Sequence, residues 1–268
     1  MISKFKTKEP VTICEIGCNH KGDLNIAKEM IKIASEFCGV DVVKFQKRNN
    51  KTLLSKDEYN SPHPVPENSY GNTYGEHREF LEFSIEEHEQ LKKECEKFKV
   101  IYSTSVWDLE SAKETIDLNP KFIKIPSAMN TNFLLLKFLC QNFAGKIHLS
   151  LGMTTIEEEK KIVSVFKEYE RLKDLVLYHC ISAYPVENDD LALKEINRLD
   201  KINIIKIDVE GSEFAVLKGL EKTIKKHMPI LCIEGNSGYK NQNNDLESIL
   251  KYLLKIGYKK IIEFSKID

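Results

Sequence analysis

The stretch VDVVKFQ, residues 40–46, consists mainly of apolar residues and ends near a lysine and a glutamine. So short an apolar run is typical of a strand that is buried on both faces of a parallel sheet. Seven further runs of this kind recur along the chain: VTICEIG from Val11, KVIYSTSV from Lys99, KFIKIPSA from Lys121, KIHLSLGM from Lys146, LVLYHCIS from Leu175, INIIKIDVE from Ile202 and PILCIEG from Pro229. The chain is therefore predicted to form eight strands.

Charged, amphipathic segments lie between these runs and carry the periodicity of helices. They are LNIAKEMIKIASEF from Leu24, SIEEHEQLKKECEKF from Ser84, LESAKETIDL from Leu109, IEEEKKIVSVFKEYERLK from Ile156 and SEFAVLKGLEKTIKKH from Ser212. Strands that alternate with helices predict a parallel sheet covered by helices. Eight such units within 268 residues predict an α/β fold, a (β/α)8 barrel of the TIM type.

The connection between the second and third strands is unusually long. It covers residues 49–80 and contains three prolines and two glycines. Barrel enzymes assemble their sites at the carboxyl ends of the strands, where this connection begins. We therefore expect an ordered active-site loop rather than a flexible one.

The composition excludes several classes of function. With 40 basic and 41 acidic residues the net charge is -1, so neither nucleic acid nor an anionic membrane is an expected partner. No window approaches the roughly 20 apolar residues of a membrane span, and the first residues lack an apolar signal core, so we expect a cytoplasmic protein. The seven cysteines form no CxxC pair, and neither disulfides nor structural zinc are expected.

Polar residues occur near the carboxyl ends of the predicted strands, although such strands have little reason to carry charge. Glu15, Lys44, Gln46 and Lys124 are the clearest cases. Hydroxyl groups accompany them at Ser103, Thr104, Ser105, Ser127, Ser150 and Ser182. Since an unpaired buried charge costs several kcal/mol, their repetition at one end of the sheet indicates a polar pocket. Two ammonium groups and several hydroxyls suit a small, doubly anionic ligand.

Seven collinear motifs over about three-quarters of the chain closely resemble the catalytic barrel of the sialic acid synthase family. They are EIGCNHKGDLNIAKEMI from Glu15, VDVVKFQ, TYGEHREFLEFS from Thr73, YSTSVWDLESAKE from Tyr102, FIKIPSA from Phe122, LSLGMTT from Leu149 and LYHCISAYPVENDDLAL from Leu177. The resemblance implies that phosphoenolpyruvate, as co-substrate, condenses with an N-acylamino-sugar aldehyde of the N-acetylmannosamine type. The product would be a nonulosonic (sialic) acid, as in surface-polysaccharide biosynthesis.

The resemblance also implies roles for individual residues. Lys44, Thr104, Lys124, Ser127 and Ser150 would hold phosphoenolpyruvate, with Glu15, Lys44 and Lys124 as the catalytic set. Glu15 would contact the reacting centre or the sugar.

Gln46, Ser182 and Tyr184 would line the substrate pocket. His20 would either fix its loop through a hydrogen bond or act directly. Met129 stands where the family usually has an acidic residue, so the choice of sugar stays open.

After Leu199 the resemblance stops, and the two histidines that bind a divalent metal in the family have no counterpart. The only histidine after His179 is His227, which is predicted to end a helix. Residues 204–234, IIKIDVEGSEFAVLKGLEKTIKKHMPILCIE, instead resemble the C-terminal part of FkbM-type methyltransferases. We therefore expect a synthase-like portion, residues 1–199, and a methyltransferase-like segment, residues 200–268, that supplies strands seven and eight of the same domain.

Asp208, Glu210 and Glu234 end the last two predicted strands and could hold Mn²⁺ or Mg²⁺ through oxygen ligands. The alternative is that Asp208 and Glu213 only cap the following helix.

The sequence leaves two other functions open. One is a catalytically degenerate, chimeric binding protein. The other is an S-adenosylmethionine-dependent sugar methyltransferase, although the chain lacks the glycine-rich turn that such a cofactor needs. Small molecules are the expected partners, and the resemblance allows a homodimer.

Overall fold

The computed structural model describes residues 11–180, 204–207, 213–233 and 246–258. The strands are β1 Ile13–Gly17, β2 Val42–Lys47, β3 Ile101–Val106, β4 Phe122–Ile125, β5 Lys146–Ser150, β6 Leu175–Tyr178, β7 Ile204–Ile207 and β8 Ile230–Ile233. The α-helices are α1 Leu24–Glu36, α2 Asn50–Leu53, α3 Lys56–Asn60, α4 Tyr74–Phe80, α5 Ile85–Lys97, α6 Leu109–Asp117, α7 Phe133–Asn142, α8 Ile156–Glu168, α9 Glu213–Gly219, α10 Glu221–His227 and α11 Leu246–Lys255.

Strands β1 to β6 form one parallel sheet in the order in which they follow along the chain. This order, with helices between the strands, confirms the predicted parallel α/β sheet. Strands β7 and β8 pair in parallel as a separate two-stranded sheet. The chain divides into two compact units, Met1–Cys180 and Ile181–Asp268. Closure of all eight strands into one barrel stays a prediction.

Two apolar clusters pack the helices of the first unit onto one face of its sheet. Ile31, Phe45 and Leu91 belong to the cluster between β1–β3 and helices α1 and α5. Ile147 and Phe166 belong to the cluster between β4–β6 and helices α7 and α8. Because successive residues of a strand point to opposite faces, the residues between these apolar ones lie on the other face of the sheet.

Side-chain caps explain why most of the predicted helices begin where the sequence places them. Ser84 with Glu87, and Thr155 with Glu158, form capping boxes at the starts of α5 and α8. Asp108 accepts from the backbone of Ser111 at the start of α6. Each cap contributes about 1 kcal/mol. Helix α7 was not among the predicted helices, because its sequence FLLLKFLCQN is apolar on nearly all sides.

The long connection after β2 is ordered, as predicted. It contains α2, α3, a 3-10 turn at Pro66–Asn68 and α4. Tyr59 donates a hydrogen bond to Glu79 (2.6 Å), and the rings of Tyr70 and Phe80 stack at 4.8 Å. Its part in an active site stays a prediction.

The described part of the second unit is held together by apolar packing. Ile205 and Ile207 of β7 pack with Leu217 of α9, Ile224 of α10 and Leu253 of α11. The segment predicted as one helix forms two, because α9 ends at Gly219, a poor helix residue, before α10 begins. His227 ends α10 as predicted. Within the described residues, no helix is long and apolar enough to cross a bilayer.

Candidate active site

The face of the first sheet that turns away from the helices is polar. Strand register aligns Glu15 with Lys44, and it aligns Ser105 with Lys124. The same face continues on β5 and β6, where register aligns Lys124 with His148 and Ser150 with Tyr178. The polar face thus consists of Glu15, Lys44, Gln46, Ser103, Ser105, Lys124, His148, Ser150 and Tyr178.

Lys44 is the buried cation of this face. Its Nζ lies 2.6 Å from Oε2 of Glu15 and donates a hydrogen bond to Oγ of Ser105 at 3.1 Å. The Lys44 side chain is 8% exposed, whereas that of Glu15 is 51% exposed. The ammonium group is therefore neutralised by a carboxylate that is open to a ligand or to solvent.

Lys124 lies beside a group of aromatic side chains. Its Nζ is 4.8 Å from the centre of the Tyr178 ring, and the Tyr178 hydroxyl is hydrogen-bonded to Nδ1 of His148 at 2.7 Å. The His148 ring stacks on Phe122 with 4.1 Å between centroids. Strands β4, β5 and β6 each supply one of these rings.

His148 is a neutral imidazole near the lysines of the site. Its pKa is lowered to about 3 by burial and then by the positive charges of Lys124, Lys146 and Lys44. The two site lysines are linked through Ser105, which accepts a hydrogen bond from Lys44 and lies in register with Lys124.

The phenol of Tyr178 stays protonated at neutral pH. Its pKa is raised to about 12 by burial, then by the Glu15 carboxylate and by Cys180.

Three other predicted residues lie on or beside the polar face. Gln46 is next to Gly17, where an added Cβ would lie 3.5 Å from its Nε2. Ser127 begins the 3-10 turn after β4 and is half-buried. Ser150 is buried at the end of β5.

Thr104 does not join these residues. Register aligns it with Phe45 and Ile123, which are both core residues on the helix-packed face. Its side chain is fully buried. The strand therefore directs Thr104 away from Lys44, and its role as a phosphoenolpyruvate ligand stays a prediction without support from this geometry.

Five predicted residues lie outside the described residues: Ser182, Tyr184, Asp208, Glu210 and Glu234. Within the ranges given above, no group of three or more His, Cys, Asp or Glu residues is arranged to hold a metal ion. The metal site stays a prediction.

Sequence reasoning missed three residues of this region. His148 and Tyr178 both stand inside apolar runs. His148 is two residues before Ser150 on β5, and Tyr178 on β6 is in register with Ser150. The period of two would have placed His148 on the face of Ser150. Asn130 is buried and donates to the carbonyl oxygens of Ser150 and Gly152, both at 2.9 Å. It joins the turns that follow β4 and β5.

A buried ion pair braces the loops after the first three strands. Arg48 pairs with Glu82, donates to Cys18 Sγ at 2.9 Å and lies over the Trp107 ring at 5.9 Å. Burial raises the pKa of Glu82, although Arg48 acts in the opposite direction.

His20 lies near the same loops. Its Nδ1 accepts from the Gly22 amide at 3.1 Å, and its ring stacks on Phe83 at 4.1 Å. Burial lowers the pKa of His20 to about 4. The described contacts of His20 thus include the loop-fixing hydrogen bond that was one of its two predicted roles.

The fold and the site together define the class: an α/β protein whose six-stranded parallel sheet carries a cationic, hydroxyl-rich face. The family profile "NeuB family" matches residues 30–211. The chain therefore belongs to the NeuB family.

Curated relatives agree with this assignment. N-acetylneuraminate-9-phosphate synthase of Drosophila melanogaster is 34% identical over 206 residues, which are 76% of this chain and 54% of the relative. The Homo sapiens enzyme of the same name is 32% identical over 71% of this chain and 52% of its own. N,N'-diacetyllegionaminic acid synthase of Campylobacter jejuni is 31% identical over 77% of this chain and 61% of its own. The chain thus spans about half the length of the first relatives.

Solved structures show the same fold. The N-acetylneuraminic acid synthetase of Leptospira borgpetersenii, in complex with citrate, matches with a TM-score of 0.65 at 20% identity, over 96% of this chain and 89% of that one. A truncated 3-deoxy-D-arabino-heptulosonate 7-phosphate synthase of Thermotoga maritima matches with a TM-score of 0.53 at 14% identity, over 93% and 89%. These likenesses show a TIM-barrel-like α/β fold. The methyltransferase-like character of the last quarter stays a prediction.

Proposed function

We propose that this chain binds phosphoenolpyruvate on the polar face and condenses it with the aldehyde of an N-acylamino sugar to form a nonulosonic acid. The names of the relatives, which are synthases of such acids, support this reaction class. The observation that carries the proposal is the placement of both lysines on one face of the sheet: Lys44 donates a hydrogen bond to Ser105, and strand register aligns Ser105 with Lys124.

The geometry suits a ligand that carries a phosphate and a carboxylate. The ammonium group of Lys124, together with that of Lys44, which Glu15 already pairs, offsets part of the negative charge of these two groups. Charge-assisted hydrogen bonds of this kind are among the strongest in proteins. The hydroxyls of Ser105, Ser127 and Ser150 fix the orientation of the ligand. Neutral His148 adds no positive charge, so the cationic character of the site is confined to the lysines.

The reaction forms one carbon–carbon bond and consumes one water. The methylene carbon of phosphoenolpyruvate attacks the aldehyde carbon, and the aldehyde oxygen takes up a proton. Water adds to the cationic carbon that results, loses a proton, and the bond from that carbon to the phosphate oxygen breaks. Glu15, held by Lys44, is placed to orient the sugar or this water.

The proposal extends to Mg²⁺ or Mn²⁺, with Asp208, Glu210 and Glu234 as oxygen ligands. When bound, such an ion would polarise the aldehyde oxygen. The described residues provide no alternative cluster for it. Titration of the purified protein with either ion, followed by thermal melting, tests this part: an unchanged melting temperature would remove it.

Thermal stabilisation by phosphoenolpyruvate tests the central part. A ligand at 100 times its Kd stabilises the folded state by about 2.7 kcal/mol. Lys44→Ala and Lys124→Ala should each abolish the shift at the phosphoenolpyruvate concentration that saturates the wild type, so that any remaining binding appears only at higher concentrations. Lys121→Ala removes an exposed lysine just before β4 and should keep it. If both site variants melt like the wild type with ligand, the pocket is wrong.

A phosphate-release assay with several acylamino sugars then tests turnover. Release that depends on the sugar supports a synthase, whereas binding without release supports the alternative of a degenerate binding protein. An S-adenosylmethionine-induced shift would favour the methyltransferase alternative.

A further inference from the structure

Lys124 and its aromatic neighbours form an arrangement that the proposed reaction does not yet use. Phe122, His148 and Tyr178 stand on three successive strands and face the same side of the sheet as Lys124. Phe122 stacks on His148, and His148 is hydrogen-bonded to the hydroxyl of Tyr178. The Tyr178 ring in turn presents its face to Nζ of Lys124.

The chemistry of a lysine explains why such support matters. Its ammonium group ends a flexible chain, so a fixed position needs contacts that restrict its rotamers. The face of an aromatic ring attracts an ammonium group and does so more strongly when water is excluded. A ring face, unlike a carboxylate, attracts the cation without neutralising its charge.

The second contact restrains the far end of the ring. The Tyr178 hydroxyl is hydrogen-bonded to Nδ1 of His148 at 2.7 Å, which limits where that end of the side chain can lie. His148 stays neutral because burial lowers its pKa, and the positive charges of Lys124, Lys146 and Lys44 lower it further. A neutral imidazole can pair with a phenol through a single proton. The three stacked or hydrogen-bonded rings thus restrain Lys124 and leave its full charge for a ligand.

We propose that Tyr178 is a positioning residue for Lys124, with its ring held in place by His148, and that this pair sets the affinity of the site for phosphoenolpyruvate. The inference rests on the proposed function, because it concerns a lysine assigned to that ligand. Lys44 is held by Glu15 and Ser105 instead, so the two lysines of the site are positioned by different means.

A double-mutant cycle between Lys124 and Tyr178 tests the inference. Tyr178→Leu should raise the Kd for phosphoenolpyruvate, measured by calorimetry, about tenfold, because the ring face is lost. Tyr178→Phe keeps the ring but loses the hydroxyl, and should raise the Kd about threefold. In a Lys124→Ala background, Tyr178→Leu should cause no further loss, since its effect acts through Lys124.

Two controls separate positioning from general damage. Tyr169→Leu removes a tyrosine on the helix side of the sheet and should leave the Kd unchanged. Should Tyr178→Leu fail to fold, Tyr178→Phe and His148→Gln carry the cycle, since both keep much of the original volume. In steady-state kinetics, the variants should raise KM for phosphoenolpyruvate and leave KM for the sugar unchanged.

The outcomes distinguish the inference from the proposed function. If the wild-type protein does not bind phosphoenolpyruvate, the proposed function fails and the inference fails with it. If the wild type binds but Tyr178→Leu binds equally well, or loses affinity equally with and without Lys124, only the inference is overturned.

Discussion

The two units of this chain use their parallel strands differently. In the first unit, the strands carry Glu15, Lys44, Lys124 and His148 on the face away from the helices. In the second unit, the described side chains of the strands are all apolar, at Ile205, Ile207, Leu231 and Ile233. The buried polar residues among those that the structure describes in this unit, Glu213 and Thr223, lie on helices.

This difference shows which strands carry charged groups and which strands serve apolar packing. Charges within strands are costly to bury, so a sheet keeps them only where partners satisfy them. In the first unit Lys44 has Glu15 and Ser105 as such partners. Within the described part of the second unit, the strands contribute mainly apolar contacts. The residues of the candidate site that the structure describes, from Glu15 to Tyr178, all lie in the first unit.

The largest effect should follow from breaking the buried ion pair of the first unit. Glu82→Leu leaves Arg48 buried without its carboxylate, which should lower the free energy of unfolding by about 3–5 kcal/mol. The double variant Arg48→Met/Glu82→Leu should recover much of this loss, because burial already opposes the charge of Glu82. Urea unfolding measures both.

An exposed pair in the second unit is the matched control. Lys225 and Glu221 lie on the surface of α10, and Lys225→Ala should change stability little. Equal effects of Glu82→Leu and Lys225→Ala would contradict the importance assigned to the buried pair.

In the second unit, the large effect should come from apolar packing. Leu217 is fully buried in the cluster of α9, and Leu217→Ala should cost about 2–5 kcal/mol. Leu254 on α11 is exposed, so Leu254→Ala should be nearly neutral. Urea unfolding again provides the measurement. Similar losses at the two positions would show that the described core does not hold this unit together.

The effect that is smallest per step concerns the pH dependence of the free energy of unfolding, to which His148 on the polar face contributes. Folding lowers the pKa of His148 from 6.5 to about 3, so the unfolded state binds its proton first. The stability contribution of neutral His148 is present above pH 6.5 and is lost as the pH falls from 6.5 towards 3. The slope is at most about 1.4 kcal/mol per pH unit.

His148→Gln should remove this part of the slope. The free energy of unfolding, measured from pH 7 to pH 4.5, should fall less steeply in the variant than in the wild type. His20 and His88, whose pKa values are also lowered by burial, remain in both proteins and cancel in the comparison. Parallel curves would mean that His148 is not buried as a neutral ring.

Much of the fold could be predicted from local sequence. The observed strands lie within the predicted apolar runs, except that β2 continues one residue further to Lys47, because β-branched residues in short runs favour buried strands. Helices α5, α6 and α8 begin directly after Ser84, Asp108 and Thr155, whose side chains cap them. Helix α7 escaped prediction because a helix buried on most sides has no clear periodicity.

The site was less predictable, because the direction of a side chain depends on strand register. Lys44 and Lys124 were predicted together, and both lie on the polar face. Thr104 was grouped with them because it lies near a strand end. Successive residues of β3 point to opposite faces, so Ser105 lies on the polar face and Thr104 on the helix-packed one. His148 and Tyr178 were overlooked because each is a single polar residue in an apolar run, and only register makes them neighbours.

A crystal structure of the protein with phosphoenolpyruvate tests the central claim most directly. The account predicts that oxygen atoms of the ligand lie about 2.7–2.9 Å from Nζ of both Lys44 and Lys124, on the face that carries Glu15. Phosphoenolpyruvate bound elsewhere, with both ammonium groups out of its reach, would contradict the account.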